Sequence, residues 1–235
     1  MKQETVKPKV TVFIAALNEE NIIEKTVKEC LRLKKYDMEV IVVLDSKTTD
    51  NTKAVAEKAG ARVIHTGKWK GKGAALRKAN KFATGDFIVQ LDADYQFLPR
   101  DIPKMIEPLR KSFDVTLGTR YRPGAIVHSG AVTRFRRFGI FFLSLTTSFF
   151  SGQRITDVLA GFKAFRKSVL QDINMKEDHY GYEAEVVIRA AQKGYKILDV
   201  PIEYRKREKG ASNLIPIKHG FLFLGTILKV GMNSK

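Results

Sequence analysis

DFIVQLDADYQ, Asp86 to Gln96, is the stretch on which the reading of the fold turns. Asp86 to Leu91 is a short apolar run of the kind that fills a buried strand. Two carboxylates, Asp92 and Asp94, follow at i and i+2, where a loop can aim both at one point. Hard divalent cations such as Mg²⁺ or Mn²⁺ favour such oxygen ligands, with diphosphate oxygens completing the shell. The same spacing also serves a plain turn in which the aspartates cap the next element.

Working outward, Val10–Ala15 (VTVFIA), Glu39–Leu44 (EVIVVL), Arg62–His65 and Asp114–Gly118 read as further strands. Helical spacing runs over Glu19–Leu33, Thr52–Ala59, Gly73–Phe82 and Asp101–Lys111. Gly60 stands where a helix C-cap belongs. Short apolar strands alternating with amphipathic helices predict an α/β fold, a mainly parallel central sheet flanked by helices. Ligands of such sheets bind beyond the carboxyl ends of the strands. Asn18, Glu19, Asp45, Asp92 and Asp94 all lie just past a strand. The second half is less regular: a strand-like GFKAF, a helix over Tyr182–Lys193, an extended KILDVPIEYR and a basic KREKGASN. With no repeat or low-complexity linker, one continuous domain is expected.

The chain has 235 residues, 44% of them hydrophobic, enough for one substantial core. Its single cysteine, Cys30, cannot form an internal disulfide, which fits a reduced, cytoplasmic compartment. The first residues, MKQETVKPK, contain no apolar stretch of the signal-peptide kind. The formal charge of +17 predicts attraction to an anionic partner: nucleic acid, an acidic membrane surface or a phosphate-bearing substrate. No zinc-ligand spacing or RNA-binding motif accompanies the charge, so a nucleic-acid partner is not expected. No apolar run reaches the roughly 20 residues that cross a bilayer. Two shorter ones, Phe138–Phe150 after Arg134, Arg136 and Arg137, and Gly220–Leu228 between Lys218 and Lys229, fit either a core helix or a helix lying in the membrane interface.

Two further segments suit phosphate and nucleoside chemistry. Asp45, in LDSKTTDNT, directly follows the second strand and can accept hydrogen bonds from a base or a ribose. Capping of the next helix is left to Asp50 and Thr52. GKWKGKGAALRKA places glycines and lysines before a helix, where anions bind; its spacing is not that of a Walker loop.

In order, AALNEE, DSKTTD, LDAD and GTRY resemble the motifs of glycosyltransferase family 2, enzymes with the Rossmann-like GT-A fold. TDVLAGFKAFRKSVL and YEAEVVIRAAQKGYKILDVPIEYRKREKGASN are similar to segments of its dolichyl-phosphate mannose and glucose synthases. The likeness spans Val10 to about Leu214. It implies a nucleotide-sugar-binding half over about residues 8–120 and an acceptor half with membrane-surface helices over about 121–235. Ala15, Leu17 and Glu19 match the segment that cradles the nucleoside, with Leu17 in place of the usual tyrosine. Asp45 matches a nucleoside carboxylate, and Ser46 replaces its acidic neighbour. Asp92, Ala93 and Asp94 match the metal and diphosphate site, and Gln96 matches a further metal ligand. Arg120 and Arg207 match cations that grip phosphate. Asp157 and Glu185 match acidic positions near acceptor and sugar; both also fit structural carboxylates paired with arginines. Asn213 replaces a loop lysine, for which Lys206 and Lys209 can substitute.

The expected activity is therefore an inverting transfer of mannose or glucose, from GDP-mannose or UDP-glucose, to dolichyl or polyprenyl phosphate. Mg²⁺ or Mn²⁺ would be the cofactor, and Asp92, Asp94, Arg120, Asp157 and Glu185 the catalytic set. The protein would sit peripherally at the cytoplasmic face of a membrane. The alternatives are a family 2 enzyme with a soluble or glycolipid acceptor and, from charge alone, a basic nucleic-acid-binding protein.

Overall fold

The protein is described by a computed structural model covering residues 7–67, 71–207 and 216–233, with the backbone alone at 216–218. β1 (Lys9–Ala16), α1 (Ile23–Leu31), β2 (Asp37–Leu44), α2 (Thr52–Lys58), β3 (Arg62–His65), α3 (Lys72–Phe82) and β4 (Phe87–Asp92) alternate as expected. A 3-10 turn at Pro99–Asp101 leads into α4 (Ile102–Leu109) and β5 (Val115–Thr119). Then come β6 (Ile126–Val127), α5 (Arg134–Ser151), β7 (Lys163–Arg166), α6 (Lys167–Asp172), α7 (Tyr182–Gln192), β8 (Ile197–Pro201), β9 (Glu203–Tyr204) and α8 (Pro216–Met232). The helix expected from Glu19 starts later, at Ile23. Residues 19–22 form a turn in which the Ile22 and Ile23 amides donate to the Glu19 carbonyl, at 3.0 and 2.9 Å. That turn keeps Glu19 at the strand end.

Seven strands form one sheet in the order β3-β2-β1-β4-β7-β5-β8, and β6 pairs with β9 in a small second sheet. Pairs β1/β2, β1/β4, β2/β3 and β5/β8 are parallel. β7 enters between β4 and β5 antiparallel to both, the one departure from a parallel sheet. The chain runs from β1 outward to β3, then returns to place β4 on the other side of β1. That reversal opens a crevice at the carboxyl ends of β1 and β4, where α/β sheets hold ligands. Both faces of the sheet are covered, which is why its strands read as nearly continuous apolar runs. Ile23, Val27, Met105 and Ile106 pack on one face. Leu76, Leu143, Val169, Val187 and Phe223 pack on the other.

The Arg-Phe segment is a surface helix. Thr133 caps α5 by accepting from the Arg136 amide at 3.3 Å, and Gly152 ends it in the left-handed conformation (φ 64°). Ile140, Leu143, Ser144 and Thr147 face the core, while Phe135, Phe138, Phe141, Phe142, Leu145 and Phe149 face outward. The outward set recurs at helical spacing, so one whole apolar stripe lies on the surface. α8 packs beside α5, close enough that a side chain at Gly231 would overlap the Phe150 ring. It adds exposed Phe221, Leu222 and Met232. No helix among the described residues is long and apolar enough to cross a membrane.

Candidate active site

Strand register gathers the predicted carboxylates. Ala15 of β1 lies opposite Asp92 of β4, and Ala16 lies opposite Leu44, the residue before Asp45. Three strand ends, carrying Glu19, Asp45 and the Asp92–Asp94 pair, thus open into one crevice. Ala93 between the aspartates is buried. Asp45 is buried too, and its Oδ1 accepts from the Lys47 amide at 2.8 Å, which holds the turn after β2. Asp50 accepts from the Thr52 amide at 3.0 Å and from the Glu20 amide at 3.1 Å, tying the two neighbouring loops together.

Each aspartate of the pair faces a cation from a distant segment. Lys72, the first residue of α3, donates to Asp92 Oδ1 at 2.7 Å. Arg207 donates to Asp94 Oδ2 through Nη2 at 2.8 Å and Nε at 3.2 Å, and its Nη2 lies 3.6 Å from Glu19 Oε1. Asp94 Oδ1 accepts from the Gln96 amide at 3.1 Å. Burial, then the neighbouring Asp92 charge, pushes the Asp94 carboxyl above its usual range, against the pull of Arg207. Burial also lifts the Glu19 carboxyl, to about 7; Arg207 opposes the rise, and Asp94, Asp50 and Asp92 add to it.

Glu19 makes a pH prediction. Its carboxyl ionises near 4.5 in the unfolded chain and near 7 in the folded one. Its contribution to stability is therefore most favourable below about 4.5 and is lost as pH rises through about 7. Metal-free Glu19→Gln should melt higher than wild type at pH 8 and level with it near pH 4.5. Thermal melts at the two pH values check the sign.

Arg120 and Asp157 form a closed pair. Nε and Nη2 of Arg120 each donate to the carboxylate at 2.7 Å, and the Arg120 amide adds a third bond at 3.1 Å. Both side chains are buried, and the Tyr204 ring lies 4.8 Å from the guanidinium. Arg120 is thus engaged by Asp157 beside the crevice. Glu185 is not brought to the pair of aspartates. It accepts from the Lys176 and Glu177 amides, at 3.0 and 2.7 Å, and from Arg189 Nε at 2.7 Å. Its reach to the site is indirect: the next residue, Asp178, accepts at its carbonyl from Gly73 and Ala74, at 2.9 and 3.1 Å, where α3 begins. Lys206 is exposed, while Lys209 and Asn213 lie outside the described residues.

Lys72 lies in the GKWKGKG segment read from the sequence as suited to anions, but outside the motifs matched to the family. Its signal was the pair of glycines around it. Gly71 has φ 109°, and a side chain at Gly73 would strike the Glu177 carbonyl. Only glycine lets the start of α3 lie this close to the 177–178 backbone with Lys72 aimed at Asp92.

Among the described residues, no three His, Cys, Asp or Glu side chains form a ready-made metal cage. The oxygen donors brought together are the Asp92 and Asp94 carboxylates; the Gln96 side chain donates through Nε2 to the Arg205 carbonyl at 3.0 Å. Two crowded carboxylates, already needing Lys72 and Arg207 beside them, suit a divalent cation whose remaining ligands come from a diphosphate.

The profile described as Glycosyl transferase family 2 matches residues 11–173. The chain is 34% identical to Glycosyltransferase AglJ of Haloferax volcanii over 83% of its own length and 64% of that protein's. It is 31% identical to a dolichyl-phosphate hexose transferase of the same organism, covering 96% of this chain and 95% of the relative. A dolichol-phosphate mannosyltransferase of Pyrococcus furiosus is 30% identical over 88% of this chain and 59% of that one. In structure, the chain resembles glucosyl-3-phosphoglycerate synthase of Mycobacterium tuberculosis, solved with Mn²⁺, UDP and phosphoglyceric acid. The TM-score is 0.72 at 21% identity, covering 95% of this chain and 78% of that one, a likeness of GT-A fold. By its motifs in order, its crevice and its matched residues, the chain belongs to glycosyl transferase family 2.

Proposed function

We propose that this chain is an inverting hexosyltransferase that moves mannose or glucose from GDP-mannose or UDP-glucose to dolichyl or polyprenyl phosphate. The observation that carries the reading is the carboxylate pair at the end of β4, flanked by Lys72 and Arg207. The names of the relatives support the acceptor class. A bound Mg²⁺ or Mn²⁺ would act as a Lewis acid that stabilises charge on the departing diphosphate. Asp92, Asp94 and Gln96 would hold it. Lys72 and Arg207, relieved of the carboxylates, would then turn their fixed positive charge to the diphosphate oxygens. Glu19 and Asp45 line the nucleoside end of the crevice, beside Ala15 and Leu17. Arg120 and Asp157 shape its acceptor side. A lipid phosphate is already ionised near neutral pH, so the reaction requires no strong general base. Both halves of the chain contribute to the sheet and form one catalytic unit in this reading.

The outward stripe of α5 and α8, with Arg134 and Arg137 exposed beside it, supports docking at the cytoplasmic face of a membrane. Phe138 and Phe141 are 70% and 63% exposed, so replacing both with Asp should leave the fold intact. Co-sedimentation with vesicles containing anionic lipid should fall roughly tenfold or more. Undiminished binding would remove this face from the reading.

The reaction itself is tested by mixing the protein, Mn²⁺ and a short polyprenyl phosphate with each nucleotide sugar in turn. Lipid-dependent release of nucleoside diphosphate from one donor establishes the activity and names the sugar. Release that ignores the lipid refutes the acceptor assignment.

A further inference from the structure

Beneath the carboxylate pair lies a buried ion pair that the chemistry above does not use. Lys163, in β7, is fully buried. Its ammonium donates to the Val158 carbonyl at 3.1 Å, to the Ala160 carbonyl at 2.5 Å and to the Glu183 carboxylate. Glu183, in the first turn of α7, also accepts from Tyr182 Oη at 2.8 Å and Gln90 Nε2 at 3.2 Å. Gln90 stands two residues before Asp92 in β4, and its Nε2 also faces the Gly161 carbonyl at 3.4 Å.

One ammonium therefore holds two carbonyls of the segment 157–161, and its partner carboxylate is tied to the strand that carries Asp92. Both ends of that segment touch the site. Asp157 clasps Arg120. Gly161 lies so close to Asp92 that any side chain there would overlap the carboxylate. All three ammonium protons have acceptors, and within the network only Gln90 Oε1 is buried without a partner. Stability alone does not explain it. Desolvating a lysine and a glutamate is costly, and apolar residues of similar volume commonly serve a core as well or better.

We infer that Lys163 and Glu183 are positioning residues for the transfer reaction: their ion pair fixes segment 157–161 against Asp92 and so sets the aim of the carboxylate pair. The turnover part of this rests on the proposed function; the cation-binding part does not.

The test is the double variant Lys163→Met/Glu183→Leu, compared with wild type by thermal unfolding, by Mn²⁺ titration without donor, and by steady-state kinetics. The melting temperature should stay within about 5 °C of wild type, because no charge is left unpaired, whereas Lys163→Met alone should lose roughly 10 °C. The Mn²⁺ Kd should rise about tenfold or more, as it does when the outer partners of metal ligands are lost. kcat should fall in proportion, with a smaller change in donor KM. Gln90→Met, which removes only the amide link, should weaken Mn²⁺ by roughly threefold at an unchanged melting temperature, and it decides the matter if the double variant does not fold. Unchanged Mn²⁺ affinity in the variant that folds overturns the inference, as does a wild type that binds no Mn²⁺. A wild type that binds Mn²⁺ yet transfers no sugar to polyprenyl phosphate refutes the proposed function, while the titration still decides the positioning role.

Discussion

Asp94→Ala is expected to lower sugar transfer by roughly 10³-fold or more while leaving the fold at least as stable as wild type. The two halves of that expectation have one cause. Asp94 is held where burial and the Asp92 charge oppose its ionisation, so its carboxylate is unfavourable to folding. Removing it relieves Asp92 of a like charge. It also takes away one of the two proposed cation ligands and the partner that aims Arg207 by two hydrogen bonds, at 2.8 and 3.2 Å. Stability sacrificed at a site in this way is the mark of a functional group. The measurement is nucleoside diphosphate release beside a thermal melt. Lost turnover with an unchanged or raised melting temperature supports the assignment. Retained turnover removes Asp94 from the chemistry, and a collapsed melt makes it a structural residue.

Arg120→Met is expected to cost about 3–5 kcal/mol of stability. Asp157 is completely buried, and three of its hydrogen bonds come from Arg120, two from the guanidinium and one from the amide. Methionine fills the space but leaves the carboxylate facing the Tyr204 side of the crevice with no compensating charge. At this chain length the loss corresponds to a drop of roughly 10 °C in melting temperature. Asp157→Asn added to Arg120→Met should recover much of it, because the charge left behind is then gone. Denaturant titrations of the single and double variants measure the recovery. A single variant as stable as wild type would show that the pair is not the anchor its geometry describes.

What was legible in the sequence was what local periodicity and strand ends encode. The alternation of apolar runs with 3.6-residue spacing located β1 to β5 and α1 to α4 to within a few residues at their ends, since β1, β2, β4 and β5 are largely buried and each helix buries one face. Asp92 and Asp94 were legible for the same reason: a polar pair ending an apolar strand has to emerge at the crevice. Arg207 was found through the resemblance, and the structure sets it against the Asp94 and Glu19 carboxylates.

Other features are decided between elements far apart in the chain, and only the tertiary structure contains them. That β7 inserts antiparallel between β4 and β5 follows from no property of GFKAF itself, yet it brings Gly161 to Asp92 and Lys163 under the site. YEAE presents two glutamates two residues apart. Packing sends Glu183 to Lys163 and Gln90, and Glu185 to the 176–177 amides, a choice that residue type cannot make. α5 shows the limit most plainly. Its phenylalanines recur on one face at helical spacing, as in a core helix, but the core takes Ile140, Leu143, Ser144 and Thr147 instead. Periodicity determines that a stripe exists. Which stripe is turned inward is determined by the shape and polar partners of the surface it meets, here the Ser144 hydroxyl that accepts from the Val158 amide at 3.1 Å, and those are known only once the chain has folded.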